Sequence, residues 1–173
     1  MTVLGLQARA LEDFVTAHFQ VEELTCHRGW WEEDVEGEVA RYFHLASVVL
    51  EPVRALLGVR MHIDSGARPL GHNEGGRASS MHLPPVQRAL EQFRYLSRAP
   101  GLRGAAADFV PLGMPCDKAF RILDAAQRSG KIMPGGLFWY AADSTHPGSS
   151  TGRFLHIDDR GVIAREGPLT PPH

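Results

Sequence analysis

Two side chains near the carboxyl end of the chain, His156 and Asp158, have types and a spacing that could do chemistry together. They lie in the segment 151–161, whose alternation of apolar and polar residues predicts a short strand. Because side chains alternate between the two faces of a strand, His156 and Asp158 would share one face, while Ile157 would point into the core. An imidazole and a carboxylate in one space can bind a metal, act as an acid–base pair, or form only a polar surface patch.

Two further side chains could converge on the same place. Asp108 lies in a strand of small residues predicted over 104–110, and a carboxylate in such a strand needs a partner if it is buried. His82 follows the long, glycine-rich polar loop 66–80, and loops of this length are often functional. Two histidines and one carboxylate are a common ligand set for catalytic zinc. The chain has nine histidines, so this pattern alone leaves zinc ligands and ordinary structural histidines both open.

Hydrophobic periodicity predicts the elements that must position these residues. The clearest helix covers 38–57 and stops at Gly58, and Pro52 inside it should kink or weaken it locally. The other predicted helices cover 3–19, 85–97 and 117–129, and the other predicted strands cover 59–65 and 135–140. The strand over 59–65 contains a second His-Ile-Asp tripeptide, at 62–64, so this tripeptide alone is a weak signal.

Composition limits the classes of protein to consider. The chain has 173 residues, of which 43% are hydrophobic and 22% charged, which is typical of one globular domain with its own core. The net charge of −2, with no block of like charges, favours neither a nucleic-acid nor a membrane partner. Cys26 and Cys116 have neither a metal nor a redox spacing. We expect no signal peptide and no transmembrane segment, and the sequence leaves the oligomeric state and the location open.

Five short motifs occur in a fixed order, and together they resemble a known family. They are Ile63-Asp-Ser-Gly-Ala-Arg68, Asn73-Glu-Gly-Gly76, Ser79-Ser-Met-His82, Gly104-Ala-Ala-Ala-Asp108 and Phe154-Leu-His-Ile-Asp158. They resemble the motifs of the D-alanyl-D-alanine carboxypeptidase family of zinc peptidases. That family includes VanX-type dipeptidases, phage L-alanyl-D-glutamate endolysins and the zinc domain of hedgehog, and the branch with a His-x-Asp last motif is the most similar. The resemblance covers about residues 19–161, nearly the whole chain.

The resemblance implies a zinc metallopeptidase that hydrolyses peptidoglycan stem peptides, or similar D-amino-acid-containing peptides, by means of zinc-activated water. It implies that the zinc ligands are His82, Asp108 and His156. Arg68 would bind a substrate carboxylate or the developing oxyanion, and Ser80 would orient the loop or a ligand by a hydrogen bond. The implied fold is α+β, with a small, mostly antiparallel sheet, helices packed on one face and a zinc cleft on the other.

The spacing of two implied ligands departs from the family pattern. In the family the first His and the Asp are usually seven residues apart, whereas His82 and Asp108 are separated by twenty-six. Residues 83–103 are therefore an insertion, which is tolerable if it loops out and returns, since loop length costs little free energy. We expect a single domain over 1–173 that includes this insertion and ends in a frayed, proline-rich tail at 167–173.

The general base is the second departure. Catalytic members of the family usually carry Glu or Asp a few residues before the last His, but Arg153 stands three residues before His156. Asp158 is then the first candidate for the base, and Asp143 is the runner-up. Asp158 could equally be a hydrogen-bond partner of a metal ligand. The alternative to an enzyme is a catalytically inactive zinc-containing module that binds the cell wall or belongs to a phage structure.

Overall fold

The sheet that carries the candidate residues is antiparallel throughout its described part. The computed structural model describes residues 15–25, 38–67, 105–140 and 153–165. Within these ranges four strands form one sheet: β1 (Met61–Ser65), β2 (Ala106–Pro111), β3 (Leu137–Tyr140) and β4 (Phe154–Asp158). Their order is β1-β2-β4-β3, so the last of the described strands lies between β2 and β3. The predicted α+β fold with a small antiparallel sheet is confirmed.

Five helical segments lie in the described ranges, and all but the first begin and end close to positions that periodicity predicts. They are α1 (Val21–Leu24), α2 (Glu38–His44), a π-helical segment (Leu45–Leu50), α3 (Glu51–Leu57) and α4 (Cys116–Arg128). The segment from α2 to α3 is the helix predicted over 38–57, and it ends at Gly58 with φ +66°. None of these helices is both long and apolar enough to cross a membrane.

Pro52 explains why the long helix widens at its centre. A proline has no N–H to donate, and its ring crowds the carbonyl four residues earlier, so a regular α-helix cannot pass through it undisturbed. The wide turn comes directly before Pro52, where the Glu51 N–H donates to the Ala46 carbonyl. The predicted local disturbance is therefore present as a π-helical segment, in which the backbone accommodates the proline without ending the helix.

The core lies between the helices and one face of the sheet. On that face the strands present apolar side chains that are almost completely buried, and these pack with the helices into one cluster. The cluster includes Ile63, Ala107, Phe109, Leu137, Leu155 and Ile157 from the strands, and Leu45, Val49, Val53, Ala119 and Leu123 from the helical segments. Because side chains alternate along each strand, Asp108, His156 and Asp158 are directed to the opposite face.

A glycine fixes the point at which the chain leaves β1. A Cβ on Gly66 would overlap the backbone carbonyl of Leu24, and the next residue, Ala67, donates its N–H to that same carbonyl at 2.7 Å. The motif Ser-Gly-x-Arg therefore needs glycine at its second position because the backbone of α1 lies against it. Through this contact α1 holds the residue that directly precedes Arg68.

Four predicted features lie outside the described ranges or differ from the structure. The helix predicted over 3–19 does not reach its predicted end: Val15 and Thr16 both donate their N–H groups to the Phe19 carbonyl, which closes a bend. The helix predicted over 85–97 and the insertion 83–103 lie outside the described residues, as does the tail 167–173.

Candidate metal centre

Strand register brings the candidate side chains into one row across the sheet. Ser65 on β1 lies opposite Asp108 on β2, Asp108 lies opposite His156 on β4, and His156 lies opposite Phe138 on β3. Directly opposed residues of antiparallel strands have side chains on the same face, a few ångströms apart. An aspartate and a histidine that are 48 positions apart in sequence are thus adjacent in space.

Asp108 and His156 are in direct contact. The Oδ1 atom of Asp108 lies 2.8 Å from Nδ1 of His156, and both side chains are buried. Buried polar groups of this kind are retained only when each has a partner. The structure therefore joins two of the three predicted zinc ligands through the atoms that a metal would bind, one carboxylate oxygen and one imidazole nitrogen.

The other ring nitrogen of His156 is occupied by Asp158. Its Nε2 atom lies 3.3 Å from Oδ2 of Asp158, whose side chain is fully buried. The same carboxylate accepts the Gly136 N–H at 2.8 Å and is held by the guanidinium group of Arg160 at 2.5–2.9 Å. Asp158 therefore contacts the histidine from one side and is fixed by other donors.

Burial and hydrogen bonding act in opposite directions on the pKa values of this pair. Burial lowers the pKa of His156, but its hydrogen bonds to Asp108 and Asp158 outweigh burial and raise that pKa to about 9. Burial raises the pKa of Asp158, but hydrogen bonds from His156 and Arg160 outweigh it and hold that pKa well below its usual range. A carboxylate held so firmly in its ionised form is a weak proton acceptor.

The geometry of the Asp108–His156 pair fits a zinc ion. With Asp158 at Nε2, Nδ1 is the nitrogen of His156 that can face a metal, on the side of Asp108. Two ligands of a tetrahedral zinc, each about 2.0–2.1 Å from the metal, lie roughly 3.3 Å apart, so a small outward shift of the pair makes room for the ion. A neutral imidazole nitrogen and a carboxylate oxygen are ligands that zinc prefers.

The third predicted ligand lies outside the described residues. Arg68, Ser80 and His82 fall in the range 68–104, and Asp143 falls in 141–152, so their predicted roles stay predictions. Across the part of the chain that the structure describes, no group of three or more His, Cys, Asp and Glu side chains could hold a metal. The described residues thus supply two adjacent candidate ligands, and a complete site needs a donor from elsewhere in the chain.

The second His-Ile-Asp tripeptide has a different environment from the first. The His62 side chain is about half exposed, and its Nε2 atom lies 3.9 Å from Oδ1 of Asp64, which is too far for a hydrogen bond. Strand register places His62 opposite Val110, whereas His156 lies opposite Asp108. The same three residue types therefore form a buried polar contact in β4, whereas in β1 the histidine is half exposed and is not hydrogen-bonded to the aspartate.

Sequence reasoning did not identify three residues that complete this arrangement, namely Gly136, Phe138 and Arg160. The Phe138 ring stacks on the imidazole of His156, with 5.0 Å between ring centroids and 13° between ring planes. The pair Gly135-Gly136 directly before β3 was a visible signal, since adjacent glycines often mark a close backbone approach. Arg160, two positions after Asp158, gave no comparable signal, because an arginine after a strand is most often solvated.

Comparison with known proteins identifies the family. Neither a curated protein nor a solved structure matches this chain. A family model described as Peptidase M15 matches residues 17–146, which is most of the chain and includes Arg68, Ser80, His82 and Asp108. The match ends before β4 and so does not include His156, which the strand register places opposite Asp108. The chain belongs to the peptidase M15 family.

Proposed function

We propose that the protein is a zinc metallopeptidase that hydrolyses peptidoglycan stem peptides or similar D-amino-acid-containing peptides. Membership of the M15 family supports a peptidase, and peptidases of this family are generally zinc-dependent. The observation that carries the proposal is the contact of Asp108 Oδ1 with His156 Nδ1, while Nε2 of the histidine is occupied. Zinc bound there would supply a Lewis acid that polarises a peptide carbonyl and makes a nucleophile available near neutral pH.

His82 is the proposed third ligand, and Arg68 and Ser80 are the proposed substrate-side residues. Ser65 lies opposite Asp108, and the chain leaves β1 directly after it towards Arg68. Since a chain advances by at most about 3.6 Å per residue, Arg68 begins within roughly 11 Å of Ser65. The side chain of an arginine is long enough for its guanidinium group to reach, from there, a substrate carboxylate bound at the Asp108–His156 pair.

Asp158 is proposed to orient His156 and not to accept the proton of the attacking water. It is fully buried, it contacts the nitrogen that faces away from Asp108, and it is held by Arg160 and by the Gly136 N–H. Each of these contacts favours a hydrogen-bond partner of a metal ligand, which is the second of the two roles open to it. Asp143 remains the other candidate for the base, outside the described residues.

The variant Asp158→Asn distinguishes between the two roles of Asp158, an orienting partner of His156 and a general base. If Asp158 orients the ligand, the variant binds zinc about 10–100 times more weakly, the range found for partners of this kind. Activity should then return largely when zinc is added in excess. Zinc titration and peptide hydrolysis on the same samples provide the measurement. Undiminished zinc affinity together with a collapse of turnover at saturating zinc would instead identify Asp158 as the base.

A digest of purified peptidoglycan tests the function itself. We expect the zinc-loaded protein to release peptides or D-alanine from cell-wall fragments, as read by mass spectrometry, with loss on chelation and recovery on addition of zinc. Protein that holds zinc but cleaves none of the fragments would favour the alternative, a catalytically inactive zinc-containing cell-wall-binding or phage structural module. Protein that holds no zinc would contradict both.

A further inference from the structure

Arg160 holds the carboxylate of Asp158 through three of its nitrogen atoms. Its Nε atom lies 2.9 Å from both oxygens of Asp158, its Nη2 atom lies 2.5 Å from Oδ2, and its backbone N–H donates to Oδ1 at 3.1 Å. An arginine fork and a carboxylate match in shape, so such pairing fixes the orientation of the carboxylate as well as its position. Arg160 is only partly exposed, and these donors are directed at Asp158.

Backbone atoms of Gly135 and Gly136 lie against the other side of the Asp158 carboxylate. Gly136 donates its N–H to Oδ1 of Asp158 at 2.8 Å, and a Cβ at Gly136 would overlap the carboxylate group. A Cβ at Gly135 would overlap the carbonyl of Asp158. The carboxylate is therefore enclosed between the backbone of the residues that lead into β3 and the guanidinium of Arg160, and it has little freedom to turn.

Arg160 also lies near the ring that supports the histidine. Its Cζ atom is 5.3 Å from the centroid of the Phe138 ring, within the range of a cation–π contact. The same Phe138 ring stacks on the imidazole of His156. Arg160 therefore reaches His156 through two neighbours, the Asp158 carboxylate at Nε2 and the Phe138 ring against the imidazole.

We propose that Arg160 is a positioning residue of the metal centre. It holds Asp158 so that this carboxylate accepts the Nε2–H of His156, and this leaves Nδ1 directed at Asp108 and at the metal. This inference rests on the proposed zinc function but is separate from it, because the contacts described above join Arg160 to Asp158 and Phe138, which are not proposed ligands. Without the fork, the carboxylate and the imidazole can both rotate, and the ligand pair loses its preorganised geometry.

Arg160→Lys is the decisive variant because it keeps the positive charge. A neutral replacement would make the site more negative, and that change by itself attracts a divalent cation. Lysine removes the two-pronged geometry and retains the charge, so it isolates positioning. We expect its zinc dissociation constant to rise about tenfold or more, as for other partners of metal-ligating histidines. The measurement is competition with a chromogenic chelator at a temperature where the circular dichroism shows folded protein.

Arg165→Lys is the matched control. The guanidinium group of Arg165 also donates several hydrogen bonds, to Asp124, Gln127 and the Gly135 carbonyl. None of its hydrogen bonds is to Asp158 or His156. We expect this variant to lose thermal stability to an extent similar to Arg160→Lys, with an unchanged zinc affinity. Equal losses of zinc affinity in both variants would reduce Arg160 to a general stabilising role and overturn the proposal.

The wild-type protein provides a readout that needs no variant. In zinc-loaded protein labelled with ¹⁵N, the histidine spectra should place the proton of His156 on Nε2 and the metal on Nδ1. The Nε2–H signal should exchange faster with solvent in Arg160→Lys than in Arg165→Lys. A proton on Nδ1, or an unchanged zinc affinity in Arg160→Lys, overturns the inference alone. Wild-type protein that binds no zinc overturns the proposed function and the inference with it.

Discussion

Replacing either His156 or Asp108 by alanine should remove the zinc from the protein. We expect about one zinc per wild-type chain and less than a tenth of that in His156→Ala and Asp108→Ala. A three-ligand site that loses one ligand keeps only two, and the buried contact between Asp108 and His156 is lost with it. The measurement is elemental analysis after extensive dialysis, and His82→Ala should behave in the same way.

His62→Ala is the control for this loss. It removes a histidine from the other His-Ile-Asp tripeptide of the chain, in which His62 is about half exposed and does not lie opposite Asp108. We expect it to keep its zinc. Full zinc content in Asp108→Ala would mean that the long insertion 83–103 has displaced this ligand, and the assignment of the Gly-x-Ala-x-Asp motif would then be wrong.

Arg68→Ala should reduce turnover by about a hundredfold or more, which is the scale seen when one transition-state charge partner is lost. A guanidinium can bind the developing oxyanion or a substrate carboxylate by two parallel hydrogen bonds, and alanine supplies none. Zinc content and the circular dichroism spectrum should stay as in the wild type. Steady-state hydrolysis of a stem-peptide substrate gives the measurement.

Arg60→Ala is the matched control for Arg68. Arg60 is an exposed arginine directly before β1, whereas Arg68 comes three positions after Ser65, the residue opposite Asp108. We expect Arg60→Ala to keep wild-type activity. If Arg68→Ala fails to fold, or if it is as active as Arg60→Ala, Arg68 is a structural or solvated residue and has no role in substrate binding.

The sequence predicted several elements correctly where the signal is local. Apolar spacing gave the helix 38–57 and its end at Gly58, and alternation placed His156 and Asp158 on one face of β4. The π-helical segment was indicated only indirectly, through Pro52, because a proline predicts that the helix is irregular but not whether it kinks, breaks or widens. The helix predicted up to residue 19 ended too late, since the Phe19 carbonyl accepts N–H groups from residues 15 and 16 in a bend.

The sequence pattern could not predict how strands that are distant in sequence pair with one another. Nothing in the local sequence shows that β4 lies between β2 and β3, or that the register sets Asp108 opposite His156, because both depend on how the whole sheet assembles. Alternation also could not reveal which carboxylate meets which ring nitrogen. The contacts of Nδ1 and Nε2 supply that information, and they support the proposal that Asp158 orients His156.

Anomalous X-ray diffraction from crystals grown with zinc tests the central claim most directly, because it locates the metal without reference to activity. We predict one zinc peak on the face of the sheet opposite the core, about 2.0–2.1 Å from Oδ1 of Asp108 and from Nδ1 of His156, with Asp158 still at Nε2. The third protein ligand should be His82. A peak bound to Nε2 of His156, or zinc that lies away from Asp108, would contradict this account of the site.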